Sequence, residues 1–155
     1  MVAVGDVAPG FTLEGYDGSV GERGAWSLSQ FRGRPVVLVF YPADNTPVCT
    51  RQLQDYTKEI AGLSELGAQV LAISPQDVDS HESFSSEHGF AFPLLADTDK
   101  EVARQYGVLG LLDLYRRCTF LVDSEGCVRW LHRYIGPGTG FRSADELIGL
   151  IASLD

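Results

Sequence analysis

Apolar residues follow two rhythms along the chain. Residues 35–40, Pro-Val-Val-Leu-Val-Phe, contain no polar position, which predicts a central strand covered on both faces by helices. Leu53, Tyr56, Ile60, Leu63 and Leu66 recur at helical spacing. They predict one continuous helix, with Thr46 as N-cap, Pro47 at the first helical position and Gly67 as the stop. Residues 68–74 predict a second strand, so 35–74 reads as a βαβ unit with a parallel pair. Further on, the pattern predicts a helix over 77–88 closing at Gly89, a short strand over 93–96 and a helix over 99–106 ending at Gly107. Strands over 118–123 and 127–132, joined by Ser-Glu-Gly, predict an antiparallel hairpin. A helix over 144–154 follows Ser143 as N-cap. Near the start, residues 11–14 predict a short strand, 15–18 a turn, and the glycine-rich stretch to Gly24 an exposed loop.

This order is a thioredoxin-like α/β plan with an N-terminal extension and a central mixed sheet flanked by helices. No repeat or linker interrupts the 155 residues, so one domain over 1–155 is expected. Lys and Arg total 12 against 21 Asp and Glu, a net charge of −9. That balance repels phosphate backbones and anionic lipid unless cations cluster. Arg116, Arg117, Arg129 and Arg133 are spread over two predicted strands among apolar residues, so neither nucleic acid nor membrane is an expected partner. Residues 35–40 are the longest apolar stretch, far short of the ~20 needed to span a bilayer. The opening MVAVGDVAPGF has neither the basic start nor the apolar run of a signal peptide. With three cysteines, an odd count, this points to a reducing, cytoplasmic setting.

Cys49 falls in the first turn of the helix begun by Thr46-Pro47. Unsatisfied backbone N–H groups and the positive end of the helix dipole favour thiolate over thiol there. The plain alternative is that a free cysteine is a small buried hydrophobe. Ionisation alone does not make an enzyme. A thiol with a pKa of about 8.5 gains only about 30-fold on full ionisation, near 2 kcal/mol, against accelerations of about 10⁶ or more. Alignment of the reactant and stabilisation of the leaving charge must supply the larger share.

The loop Tyr41-Pro42-Ala43-Asp44-Asn45-Thr46-Pro47-Val48-Cys49-Thr50 resembles the peroxiredoxin signature, Pro, three residues, Thr, two residues, Cys. Gly5-Asp6-Val7-Ala8-Pro9-Gly10-Phe11, the 35–40 strand and Arg117-Cys118-Thr119-Phe120-Leu121-Val122-Asp123 also resemble that family, in particular its bacterioferritin-comigratory or Q-type branch. The resemblance implies a thiol peroxidase without cofactor or metal, in which Cys49 attacks a hydroperoxide and becomes a sulfenic acid. It implies that Thr46 places its hydroxyl beside the sulfur and the peroxide, and that Pro42 shields the site. The free amides of Val48 and Cys49 would face the same pocket. Arg117 would contact sulfur and peroxide, a task suited to its planar, permanently charged fork. Arg116 competes for that role, and strand alternation allows only one of the two to face Cys49. The family register selects Arg117.

Many relatives of this branch carry a second cysteine five residues after the first, where this chain has Gln54. Cys118 should face away from the site if Arg117 faces it. The hairpin puts residue 131 or 132 opposite Cys118, leaving Cys127 about 13–17 Å along the strand, beyond the ~7 Å Cα separation of a disulfide. A one-cysteine mechanism is expected, with an external reductant: a thioredoxin-like or glutaredoxin-like protein, or a low-molecular-weight thiol. Resolution through Cys118 or Cys127 remains an alternative, as does a peroxide sensor that signals through Cys49 oxidation. A disulfide oxidoreductase of the same fold would carry Cys-x-x-Cys, but residues 46 and 52 are Thr and Gln. His81, His88 and His132 show no metal-ligand spacing, and Gly107-Val-Leu-Gly110 lacks the context of a dinucleotide loop. A monomer or weak homodimer is expected.

Overall fold

The computed structural model describes residues 1–134 and 141–154. Seven strands form one mixed sheet: β1 (Thr12–Asp17), β2 (Glu22–Ser27), β3 (Val36–Phe40), β4 (Gln69–Ser74), β5 (Pro93–Ala96), β6 (Cys118–Val122) and β7 (Val128–Arg133). Their order is β2-β1-β5-β4-β3-β6-β7. β3 pairs parallel with β4 and antiparallel with β6, so the expected central strand is central. The helices are α1 (Pro47–Lys58), α2 (Ile60–Glu65), α3 (Val78–His88), α4 (Glu101–Tyr106) and α5 (Ala144–Ala152).

The sheet separates two cores. Val36, Leu38 and Phe40 of β3 pack toward α4 with Tyr106, Phe120 and Val122. Val37 and Val39, continued by Tyr41, pack with Leu53 and Tyr56 of α1 and Leu147 and Ile151 of α5. Both faces of β3 are therefore dry, which is why its sequence has no polar position. The sheet also separates the two buried cysteines: Cys118 of β6 belongs to the α4-side core and Cys49 of α1 to the α1-side core.

Three expectations need correction. The N-terminal strand is longer than expected and does not end at Gly15, and the stretch to Gly24 is strand β2 rather than loop. Gly15 sits inside β1 opposite Gly24 and Leu95, where a Cβ would overlap the Leu94 carbonyl oxygen. Close strand approach, not a turn, requires that glycine. The expected single helix breaks at Glu59 (φ −101°, ψ 17°), which ends α1 and starts α2. The break lets Gly62 meet Ile148 of α5, whose Cδ1 would lie 3.0 Å from a Cβ there. Finally, Cys118 pairs with Arg133, not with residue 131 or 132, because a bulge between Leu121 and Val122 shifts the register. The shift carries Cys118 farther from the hairpin end, where Cys127 pairs with Val7.

Candidate active site

The chain leaves β3 at its carboxyl end and enters α1 through a loop held from below. Asn45 takes a left-handed conformation (φ 62°), which asparagine tolerates better than most residues, and Thr46 returns to extended backbone. The buried Asp44 carboxylate accepts from Tyr41 Oη at 2.7 Å, from Ser80 Oγ at 2.7 Å, and from His81 Nδ1 at 2.8 Å. His81 Nε2 donates to the Leu95 carbonyl at 3.0 Å. Gln76 accepts from the Asp44 amide at 3.0 Å and from Ser74 Oγ at 2.6 Å. β4, α3 and β5 thus all grip the loop. Burial, reinforced by the Asp44 charge, pushes the Tyr41 phenol well above its usual range, so it stays a donor.

Thr46 occupies the expected N-cap position, yet its hydroxyl bonds no helix amide. It donates to the Ala43 carbonyl at 2.9 Å instead, which leaves its lone pairs free to accept. Cys49, only 1% exposed, follows in the first turn. Arg117 Nη2 donates to Cys49 Sγ at 3.1 Å, and Nη1 donates to Gln52 Oε1 at 2.5 Å. Gln52 in turn donates to Tyr56 Oη at 3.0 Å, and Tyr56 donates to the Arg142 carbonyl at 2.6 Å. Arg117 Nε is buried and has no partner among the described residues.

A cavity of about 490 Å³ opens on this arrangement. Pro42, Thr46, Pro47, Val48 and Cys49 form one wall; Leu111, Leu114, Tyr115, Arg116, Arg117 and Tyr134 are on the other. All five residues singled out from sequence therefore meet at one place. Gln54 lies outside it, 3.4 Å from His88 Nδ1. Two further residues at the site, Gln52 and Tyr134, were not among those expected from the sequence. Gln52 lies three residues past Cys49, on the same helix face, and that spacing was the available signal. Tyr134 follows β7 and pairs through its amide with the Arg117 carbonyl at 3.0 Å; nothing in the chain pattern marks it. Among the described residues no group of three or more His, Cys, Asp or Glu side chains is arranged to hold a metal, and no helix is long and apolar enough to cross a membrane.

Residues 4–131 match the AhpC/TSA family. Peroxiredoxin Q, chloroplastic, of Oryza sativa subsp. japonica is 39% identical over 133 residues, covering 84% of this chain and 59% of the rice protein. Its counterpart in Populus jackii is 35% identical over 152 residues, covering 97% of this chain and 68% of the poplar protein. The chain thus spans about three-fifths of the length of the rice relative. Among solved structures, peroxidoxin BcpB from Mycobacterium tuberculosis superimposes with a TM-score of 0.85 at 28% identity, over 100% of this chain and 99% of that one.

Proposed function

The chain belongs to the AhpC/TSA family as a peroxiredoxin of the Q type, and from that membership we propose that it is a thiol-dependent peroxidase reducing hydroperoxides through Cys49. The observation that carries this reading is the Arg117 guanidinium 3.1 Å from Cys49 Sγ in the first turn of a helix. A planar, permanently charged fork at that distance donates to the sulfur and can reach a peroxide oxygen beside it.

The thiolate attacks the distal oxygen of the hydroperoxide. An S–O bond forms, the O–O bond breaks, and the sulfur is oxidised to sulfenic acid while the alkoxide or hydroxide leaves and takes up a proton. Thr46 accepts from the attacked OH, because its own proton is committed to Ala43. Arg117 and the open amides of Val48 and Cys49 stabilise charge in the transition state. Pro42, in the cavity wall, shields the site from water.

The sulfenic acid then condenses with an external thiol to a mixed disulfide and water, and a second thiol restores Cys49 while leaving as disulfide. A thioredoxin-like or glutaredoxin-like protein or a small thiol fills this role. Two features support a one-cysteine route: Cys118 lies in the core on the opposite face of the sheet, and Cys127 stands at the hairpin end.

The test is stopped-flow peroxide consumption with excess thiol, on wild type and Cys49→Ser. Repeated turnover by wild type and none by the variant is the expected result. A single stoichiometric oxidation would make the protein a sensor. Non-reducing mass spectrometry after one equivalent of peroxide tests the second half-reaction, and an intramolecular disulfide from Cys49 would sink the one-cysteine route.

A further inference from the structure

The cavity beside Cys49 carries a second cation in its wall. Arg116 lines it, next to Gly110. Gly110 has φ −97° and ψ −152°, a conformation that does not need glycine, so torsion does not explain the residue. Space does: a Cβ on Gly110 would overlap Arg116 Nε and lie 2.8 Å from its Cζ. The guanidinium group rests directly on a bare Cα. The seat itself is held by backbone bonds, Arg116 N to the Val108 carbonyl at 3.1 Å and Gly110 N to the Leu114 carbonyl at 2.8 Å.

Arg116 enters no ion pair among the described residues, although the chain has 21 acidic residues against 12 basic ones. A half-buried guanidinium fixed in a cavity wall without an internal carboxylate suits an anion from outside. The remaining wall indicates what carries that anion. Pro42, Val48, Leu111 and Leu114 are apolar, and the two leucines are 81% and 61% exposed. The volume of about 490 Å³ falls among small-molecule sites of ~300–1,000 Å³ and far exceeds the ~30 Å³ of a water. An inorganic anion would gain nothing from the leucines. An alkyl chain bearing a carboxylate uses both.

We propose that Arg116, seated on Gly110, is a carboxylate-binding residue that makes this site prefer hydroperoxides whose apolar chain carries a free carboxylate. This rests on the peroxidase reading of the same cavity. The carboxylate is not changed in the reaction; it fixes the substrate while the peroxide group meets Cys49.

The experiment compares kcat/KM for a fatty-acid hydroperoxide and for its methyl ester, in wild type, Arg116→Met, Gly110→Ala and Arg129→Met. Wild type should favour the acid about tenfold, the ratio set by ~1.4 kcal/mol. Arg116→Met should bring the ratio near one, and Gly110→Ala, which displaces the guanidinium, should lower it. Arg129→Met, on an exposed arginine paired with Asp123, should keep it. An acid-to-ester ratio near one in wild type overturns the proposal, as does an undiminished ratio in Arg116→Met.

A binding arm needs no turnover: calorimetry with decanoate and methyl decanoate should show the same tenfold difference in wild type and its loss in Arg116→Met. If wild type reduces no peroxide, the peroxidase reading fails and this arm alone decides the carboxylate site. If Arg116→Met slows only reduction by mercaptoacetate relative to 2-mercaptoethanol, the carboxylate belongs to the reductant and the substrate assignment is overturned.

Discussion

Gln52 accepts from Arg117 Nη1 at 2.5 Å, one helical turn beyond the cysteine whose sulfur Arg117 Nη2 contacts at 3.1 Å. One planar guanidinium thus spans two residues of the same helix face. Its orientation toward the sulfur is set by a neutral acceptor that itself never reaches the sulfur. Gln52 is fully buried and its amide is fixed by Tyr56, so the fork has little freedom to rotate.

Gln52→Leu removes the acceptor and leaves Arg117 Nη1 without it. An unsatisfied buried donor costs about 1–3 kcal/mol, and misplacement of a reacting group on the order of 1 Å can cost about 10²-fold in rate. The expected outcome is a 10- to 100-fold slower oxidation of Cys49 by peroxide, on the scale of that misplacement penalty. Gln52→Glu restores an acceptor and should recover most of the rate. Stopped-flow oxidation kinetics beside thermal melts separate positioning from folding: equal destabilisation in both variants with unequal rates supports positioning, and equal rates oppose it.

Arg117→Lys tests the fork itself. An ammonium group keeps the charge, but it is a point donor and cannot present two parallel N–H groups to Cys49 and Gln52. Arg117→Gln removes the charge, and its expected loss in kcat/KM is about 10²–10³, the size found for single charge-stabilising donors. Lys should fall between Gln and wild type. Wild-type kinetics in either variant would separate Arg117 from the chemistry.

Asp44 and His81 form a buried pair at 2.8 Å with side chains 2% and 0% exposed. Breaking such a pair costs about 3–5 kcal/mol, because the surviving polar group stays buried without its partner. Asp44→Asn cannot satisfy Tyr41, Ser80 and His81 together, since its NH₂ cannot accept. At about 2–4 °C per kcal/mol for a domain of this size, the melting temperature should fall by roughly 6–20 °C in calorimetry. A fall of under about 2 °C, less than ~1 kcal/mol by the same conversion, would mean that water replaces the pair.

Much of this was legible in the chain because the relevant signals are local. The unbroken apolar run of β3 announced a doubly covered strand, and Pro42, Thr46 and Cys49 are close enough in sequence for their spacing to carry meaning. Alternation placed Arg117 and Cys118 on opposite faces without any tertiary information. What escaped depends on tertiary packing. β2 is an exposed edge strand with charges and Gly24, so it has no buried face to impose a pattern. The break at Glu59 has no proline or glycine at the joint to mark it. The bulge in the last hairpin moves the partner of Cys118 to Arg133. The spacing of Gln52 from Cys49 is local, but its partner Arg117 comes from a distant segment, and the seat of Arg116 on Gly110 emerges only when separate segments meet.

Cys118 offers the pH-dependent prediction. It is fully buried in β6, and burial pushes its thiol from the ordinary 9.0 up to about 11, partly countered by Arg133 and Arg116. In the unfolded chain the thiol ionises near 9.0; in the native protein it holds its proton to about 11. Between those values the unfolded state binds fewer protons, so stability falls as pH rises. The Cys118 contribution is fully present below pH 9.0 and declines through about 11, by roughly 2–3 kcal/mol at about 1.4 kcal/mol per pH unit. Cys118→Ala removes this titration, although it also shortens a core side chain. Urea unfolding of both proteins from neutral pH upward should therefore show wild type ahead at neutrality and the gap closing above pH 9. The difference between the two proteins cancels every other titrating group, so a gap that stays constant with pH would show that Cys118 ionises in the native protein as it does in the open chain.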